Sequence, residues 1–401
     1  MLSRSFLATL SRNISIGLGG SPHALQDRSF GGLNVILCGD LHKFPPVACA
    51  KSEALYHPVN LARDSDDAKI GCRIYEEFST VVVLQEQMCV MDPGWRDFLV
   101  RLRYGRVRSD DLKMLRTLLL HQSPIDLSSP PWCNTSLTTP RHGVRMQWND
   151  ASLWKACSES GQRLLICHAE DTIKNRPLYS SEWYALAARG AGDGQRKHKN
   201  LPEVIELAIG MKVMVTRNIA TDLDITNGAR GTVVDIVLNP DEPPLGESSI
   251  TTLKHLPQCV LVKLNCTRAA CLDGLDDGVI LIFLAKSSMQ ITLGKKVKTV
   301  TRFQYPITAT YCFTDYCSQG QTIPHVVIDI ASPPSGKLSL FNLYVVLSRS
   351  SGQETVRLLQ DFDDDIFLEV HKLELTLEDE WLDALDKTMK LWWQRLSQVD
   401  S

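Results

Sequence analysis

Leu33-Asn34-Val35-Ile36-Leu37-Cys38-Gly39-Asp40 is a strand-length apolar run closed by a glycine and an acid. That pattern predicts a parallel strand covered on both faces, and such strands belong to α/β sheets. Val81 to Leu84 repeats it. Upstream, Phe6, Leu7 and Leu10 fall at helical spacing within Ser3 to Ser11, and Gly17, Gly19 and Gly20 end the periodicity. Downstream, Trp95 to Tyr104 and Ser109 to Leu120 read as helices, the second with Ser109 as its N-cap and acids in its first turn. The first 120 or so residues thus predict an α/β unit.

Ser123 to Pro131 has linker composition and marks a boundary near residue 125. A short strand within Asn134 to Pro140 and a helix over Val144 to Cys157 follow. From Val213 the pattern changes to short β runs: Val213 to Thr216, Gly231 to Leu238, Cys259 to Leu264, Val279 to Leu284 and Val297 to Phe303. Turn chemistry such as Asn227-Gly228 separates them, so residues 213–311 predict a small all-β insert. Val326 to Ile330, Leu343 to Leu347 and Val356 to Leu359 return to buried-strand character and close a second α/β unit. Leu377, Trp381, Leu385, Met389, Trp392 and Leu396 then share one face of an amphipathic helix N-capped by Thr376, a face read as turned to the core. Asp361, Asp363, Asp364 and Asp365 lack the spacing of a calcium loop and read as a solvated turn.

Composition narrows the function classes. With 44% apolar and 22% charged residues over 401 positions, the chain has the balance of a folded protein. A net charge of −3 means that any nucleic acid must be held by local basic runs. Those runs are Arg101 to Arg108, Arg196 to Lys199 and Lys295 to Lys298. No apolar stretch has the length of a transmembrane helix. The twelve cysteines lack zinc-ligand spacing and read as reduced thiols. Met1 to Gln26, with Arg4, Arg12, several serines and no acid before Asp27, fits either a mitochondrial transit peptide or an ordinary helix.

Gly39-Asp40 lies at the carboxyl end of the first predicted strand, the edge at which open α/β sheets bind ligands. The following Leu41-His42-Lys43-Phe44-Pro45-Pro46-Val47 makes the stretch resemble the third motif, Gly-Asp-x-x-Gln-x-Pro-Pro-Val, of the petite-integration-frequency (PIF) and RecD-like family of superfamily-one DNA helicases. Asp315 to Thr322 resembles the family's Lys/Arg-Ser-Gln-Gly-Gln-Thr motif, and Tyr344-Val345-Val346-Leu347-Ser348-Arg349 its final Tyr-Val-Ala-Leu-Ser-Arg motif. Met211 to Asn218 with Asn227 to Gly231 is similar to the stretch leading into the family's SH3-like insert. The four matches are collinear over Leu33 to Phe362, and the wording of Trp95 to Tyr104, Thr138 to Asn149 and Phe313 to Thr322 looks most like the helicases of fungal genomes.

The resemblance implies an α/β protein with the remnant of one RecA-like ATPase domain (1–125) and a second RecA-like domain with a small SH3-like insert. The second domain would occupy 126–212 and 312–401, the latter with the C-terminal amphipathic helix, around the insert at 213–311. It also implies ATP-dependent, five-prime to three-prime DNA unwinding in repair, recombination or telomere maintenance, with ATP and magnesium as cofactors. Single-stranded or forked DNA is the implied partner, and the nucleus or mitochondrion the implied location. Carried over residue by residue, Asp40 and Arg349 are catalytic; Gly39, Asp40, Lys43 and Arg349 face the nucleotide; Ser318, Gln319, Gly320, Gln321 and Thr322 face DNA.

The departures matter as much. Hydrolysis needs a phosphate-cradling glycine loop with its lysine and an acidic pair for magnesium. No Gly-x-x-x-x-Gly-Lys-Ser/Thr occurs in the sequence, and Met1 to Leu7 resembles the helix that follows the family's Asp-Glu-x-Ser-Met. Lys43 stands where the family has a glutamine that senses the γ-phosphate, Cys89 where it has an arginine, and Cys317 where it has a lysine or arginine. The expectation is therefore an N-terminally truncated helicase without autonomous ATPase activity, its missing half supplied, if at all, by a separate polypeptide. A residual single-stranded DNA-binding module using the Ser318 to Thr322 loop and the β insert, or a decayed transposon-derived frame, are the other readings. Residues 1 to about 125 are expected to be poorly stable, because a central strand over Leu33 to Cys38 would lose its neighbours.

Overall fold

The computed structural model describes residues 1–19, 28–47, 49–192, 201–271, 273–294, 296–319, 323–333 and 337–399. The chain divides into two units, Met1–Arg141 with Thr314–Ser401, and His142–Phe313.

The first unit opens with α1 (Arg4–Gly17), whose N-cap Ser3 accepts a hydrogen bond from the Phe6 amide at 3.1 Å. α1 crosses α2 (Asp66–Glu76) closely enough that a Cβ on Gly71 would lie 1.9 Å from the Arg4 carbonyl oxygen. Leu7, Phe30, Leu55 and Ile74 form the small core beneath that crossing. Arg4 is buried with them, its guanidinium donating to the Ser52 and His57 carbonyls and pairing with Asp64. α3 (Pro93–Arg103) starts where Asp92 caps the Trp95 amide, with Pro93 in the first turn where no amide is needed. α4 (Ser109–Thr117) begins at the predicted cap itself, one residue earlier than expected: Asp111 accepts from the Arg108 amide at 2.9 Å, so Arg108 is the N-cap and Ser109 already helical. β1 (Ser136–Thr138) closes this half.

The second unit begins with α5 (His142–Ser160) and continues through β2 (Leu164–His168), β3 (Glu170–Ile173), β4 (Arg176–Pro177), α6 (Ser180–Gly192) and β5 (Val204–Leu207). β6 (Lys212–Val215), β7 (Arg230–Val237), β8 (Ile250–Thr252), β9 (Cys259–Leu264), β10 (Val279–Ile282), β11 (Ala285–Leu293), β12 (Lys296–Gln304), β13 (Ile307–Ala309) and β14 (Cys312–Phe313) complete it. The antiparallel order β10-β9-β7-β6-β13 surrounds a core containing Val213, Val260, Ile282 and Tyr305. A second antiparallel sheet, β11-β12-β3-β4, carries a smaller core of Ile173, Leu186, Met289, Ile291 and Val300, with Leu186 contributed by α6. The alternating burial along β11 is that of a sheet covered on one face.

Back in the first unit come α7 (Asp315–Ser318), β15 (Val326–Ile328), α8 (Leu340–Leu347), β16 (Val356–Leu358) and α9 (Leu373–Val399). β1 and β16 flank β15 in parallel, with Ser136 and Val356 both opposite Val326. All three residues of β15 are fully buried, as a central parallel strand requires. No helix among the described residues is long and apolar enough to cross a membrane.

Three expectations are corrected. Among the described residues neither Leu33 to Cys38 nor Val81 to Leu84 belongs to a strand, and Leu33, Ile36, Val82 and Leu84 are exposed, Ile36 at 86% and Leu84 at 89%. An apolar run specifies what a strand could bury, but a strand also needs a neighbour for its amides and carbonyls. Leu343 to Leu347 is helical: Ser339 and Asn342 form a capping box, and the continuous apolar run reflects burial on all sides of α8. Finally, only part of the α9 stripe faces protein. Trp381, Leu385 and Met389 are half-buried, whereas Leu377, Trp392 and Leu396 are exposed. What α9 turns inward is partly polar: Glu378 accepts from the Tyr75 hydroxyl, and Asp386 from the Val83 amide at 2.9 Å.

Candidate functional site

Gly39 is exposed, and Asp40 after it is tied from several sides. Its Oδ1 accepts from the His42 amide at 3.0 Å and from Arg103 Nη2 at 3.1 Å, while its carbonyl accepts from the Lys43 amide at 3.1 Å. Burial pushes the Asp40 carboxyl up, but the Arg103 guanidinium and the His42 amide outweigh it and hold it below its ordinary value. Tyr344 of α8 lies near the same carboxylate; burial first, then the Asp40 charge, raise this phenol well above its usual range. Arg103 reaches Asp40 because it ends α3.

His42 is almost fully buried beneath this loop. Its Nε2 lies 2.8 Å from Asp379 of α9, and its Nδ1 3.3 Å from Nε2 of His371, which in turn lies 2.8 Å from the Arg103 carbonyl. His42 Nε2 donates to Asp379, and the single hydrogen on His371 Nε2 goes to the nearer Arg103 carbonyl, which leaves the longer His42–His371 approach without a full hydrogen bond of its own. The loop that bears Asp40 is thus clamped to α3 and α9.

Arg349, the last residue of the Tyr344 to Arg349 match, is only 5% exposed. Its Nε donates to the Val345 carbonyl at 2.7 Å, its Nη2 to Ser348 Oγ at 2.7 Å and its Nη1 to the Ser318 carbonyl at 3.4 Å. Burial lowers its pKa, with Tyr344 and Cys89 opposing. Tyr344 therefore interacts electrostatically with both Asp40 and Arg349, so the structure brings together two of the residues singled out in sequence. Ser318 joins them through its backbone. Its hydroxyl is buried and donates to the Asp315 carbonyl at 2.7 Å, so it points into the protein; Gln319 is exposed. Gly320, Gln321 and Thr322 lie outside the described residues.

Asp40 is the carboxylate at this point, and it is already held by Arg103 and the His42 amide. Among the described residues no group of three His, Cys, Asp or Glu side chains is placed to hold a metal ion. The basic runs are partly spent in ion pairs: Arg101 with Asp111, Arg103 with Asp40 and Lys298 with Glu182. Arg196 to Lys199 lies outside the described residues, as does Lys295. Sequence reasoning did not pair Arg103, read only as part of a basic run, with Asp40, nor give His371 or Asp379 a place in the site. The signal available was His42, an imidazole between apolar Leu41 and the Phe44-Pro45-Pro46-Val47 run, which needs partners once buried.

No family model matches the chain. ATP-dependent DNA helicase PIF6 of Trypanosoma brucei brucei is 24% identical over 356 residues, covering 86% of this chain and 38% of that protein. The chain spans about two fifths of the length of the curated relatives it matches. Among solved structures, the Pif1 helicase from Candida albicans superposes with a TM-score of 0.61 at 20% identity, covering 95% of this chain and 74% of that one. The Pif1 helicase from Bacteroides in complex with ADP-AlF3 and single-stranded DNA gives 0.58 at 18% identity, covering 95% and 72%. The mixed α/β architecture, with its parallel and antiparallel sheets, is the one these Pif1 structures have. The homologues and structural neighbours of this chain are accordingly Pif1-family helicases.

Proposed function

We propose that this chain is the C-terminal portion of a five-prime to three-prime ATP-dependent DNA helicase, of the repair, recombination and telomere-maintenance type and of fungal kind, and that it binds single-stranded or forked DNA without hydrolysing ATP by itself. The observation that carries this reading is that the Arg349 guanidinium holds the Ser318 carbonyl while Tyr344 lies within electrostatic reach of both Arg349 and Asp40, because this draws together three motifs far apart in sequence. In this reading 1–125 descends from a first RecA-like domain, 126–212 and 312–401 from a second, and 213–311 is its SH3-like insert. Nucleus or mitochondrion is the place such an enzyme would work.

The residues present do not fit a magnesium nucleotide. The Asp40 carboxylate is spent on Arg103 and the His42 amide, the Arg349 guanidinium donates to Val345, Ser318 and Ser348, and the sequence has no phosphate loop. ATP and magnesium thus belong to the intact family. The apolar stretches at Leu33 to Cys38 and Val81 to Leu84 pair with no strand among the described residues, which supports pairing with strands of a further segment or of a separate polypeptide that carries the ATPase half. The bond from Arg349 to Ser318 favours a second reading, a residual single-stranded DNA-binding module, since it seats the Ser318 loop without a nucleotide.

Purified chain titrated with a fluorescent oligodeoxynucleotide, with ATP turnover measured in the same samples, tests the proposal. DNA binding without turnover is expected. Turnover that Arg349→Ala abolishes would overturn the loss of ATPase, and failure to bind DNA would leave the reading of a decayed frame.

A further inference from the structure

Phe44 and Tyr316 lie ring on ring, their centroids 4.1 Å apart and their planes 18° apart. Phe44 belongs to the loop that bears Asp40 and Lys43, and Tyr316 to α7, just before Ser318, whose carbonyl Arg349 holds. The two rings are unequal. Phe44 is 4% exposed and Tyr316 53%, so Phe44 backs one face of the phenol and the exposure falls on the rest of the ring.

Both supports are stiff. Phe44 precedes Pro45-Pro46, and the Lys43 amide before it is bonded to the Asp40 carbonyl. The Tyr316 amide donates to Asp315 Oδ1 at 2.9 Å. That carboxyl is 4% exposed, and its other oxygen accepts from Asn342 Nδ2, the side chain that also closes the capping box of α8. The helix that presents Arg349 and the ring of Tyr316 therefore rest on one polar anchor. A large aromatic surface held flat and half open costs little ordering when something planar lands on it.

We propose that Tyr316, backed by Phe44, is a stacking platform for one base of a single-stranded nucleic acid; this rests on the DNA-binding reading above. A ring face offers no hydrogen-bond pattern to read, so the platform accepts any of the bases, and its contribution depends on a base being there. Gln319, exposed three residues on, and the cation of Lys43 beside Phe44 in the chain suit the sugar and phosphate that flank a stacked base.

The experiment is fluorescence anisotropy of the full chain with a labelled fifteen-nucleotide oligothymidylate and with an abasic strand of equal length, at one fixed salt concentration. Tyr316→Ala is expected to weaken oligothymidylate binding by about 5- to 150-fold, the range that base–aromatic stacking spans. Tyr316→Phe should bind within about twofold of the unaltered chain. The preference of the unaltered chain for oligothymidylate over the abasic strand should shrink in Tyr316→Ala. If Tyr316→Ala melts early, Tyr316→Leu, which still covers Phe44 but has no π face, is expected to show the same loss. Equal affinity of Tyr316→Ala, or of Tyr316→Leu, with the unaltered chain would overturn the platform while DNA binding stood. No binding by the unaltered chain to either strand would overturn both.

Discussion

Arg349→Ala separates a guanidinium built into the protein from one held ready for a ligand. In the structure its three nitrogens donate to the Val345 carbonyl, the Ser348 hydroxyl and the Ser318 carbonyl, and the side chain is almost fully buried. At a net ~0.5 to 1.5 kcal/mol for each hydrogen bond, losing three removes roughly 1.5 to 4.5 kcal/mol. Relief of a buried charge offsets part of that. A loss of about 2 to 4 kcal/mol is expected, which in a unit of this size lowers the melting temperature by roughly 4 to 16 °C. Arg349→Lys should recover less than half of the loss, because a single ammonium cannot span three divergent acceptors. Thermal melting gives the magnitude, and hydrogen exchange of the amides around Val345 and Ser318 gives the location. A melting temperature within about a degree of the unaltered protein, with unchanged exchange at those amides, would refute the reasoning. It would mean that the guanidinium is free to swing outward.

Three further outcomes are expected. Gly71→Ala places a methyl group 1.9 Å from the Arg4 carbonyl oxygen, so α1 and α2 must separate, and a loss of at least ~1 to 3 kcal/mol should appear on melting; a neutral result would show that the crossing is loose. Burial, then the neighbouring His42, lowers the His371 pKa below its ordinary value. The unfolded chain therefore binds the extra proton first, and stability should fall as pH drops below about 6.5 towards the folded value. Urea unfolding at pH 7.5 and 5.5 measures this, and His371→Gln should flatten the difference; an equal slope in that variant would exclude His371 as its source. Limited chymotrypsin digestion should cut first near Leu84 and Met88, which are 89% and 75% exposed. The fragments should stay associated, since Tyr75 and Val83 are bonded to Glu378 and Asp386 of α9. Resistance across Val81 to Met88 would contradict the exposed, strand-free state of that stretch.

Local pattern was enough for much of this protein. The apolar runs at Val326 and Val356 are parallel strands, the short runs between Val213 and Phe303 are antiparallel ones, and the stretch from Trp95 is helical, because these outcomes depend on residues within a turn or two of each other. The collinear motifs likewise pointed to Asp40, Arg349 and the Ser318 loop from their wording alone. Tertiary structure decided whatever depends on a neighbour distant in the chain. Leu33 to Cys38 has the composition of a strand and no strand beside it among the described residues, Leu340 to Leu347 has the same composition and is a helix because it is enclosed, and α9 turns carboxylates inward where Tyr75 and Val83 offer donors. Hydrogen bonds between distant segments leave no periodicity to read. So it was the packing of α3, α8 and α9 around one loop that gave Asp40 its arginine, His42 its aspartate and Arg349 its inward turn.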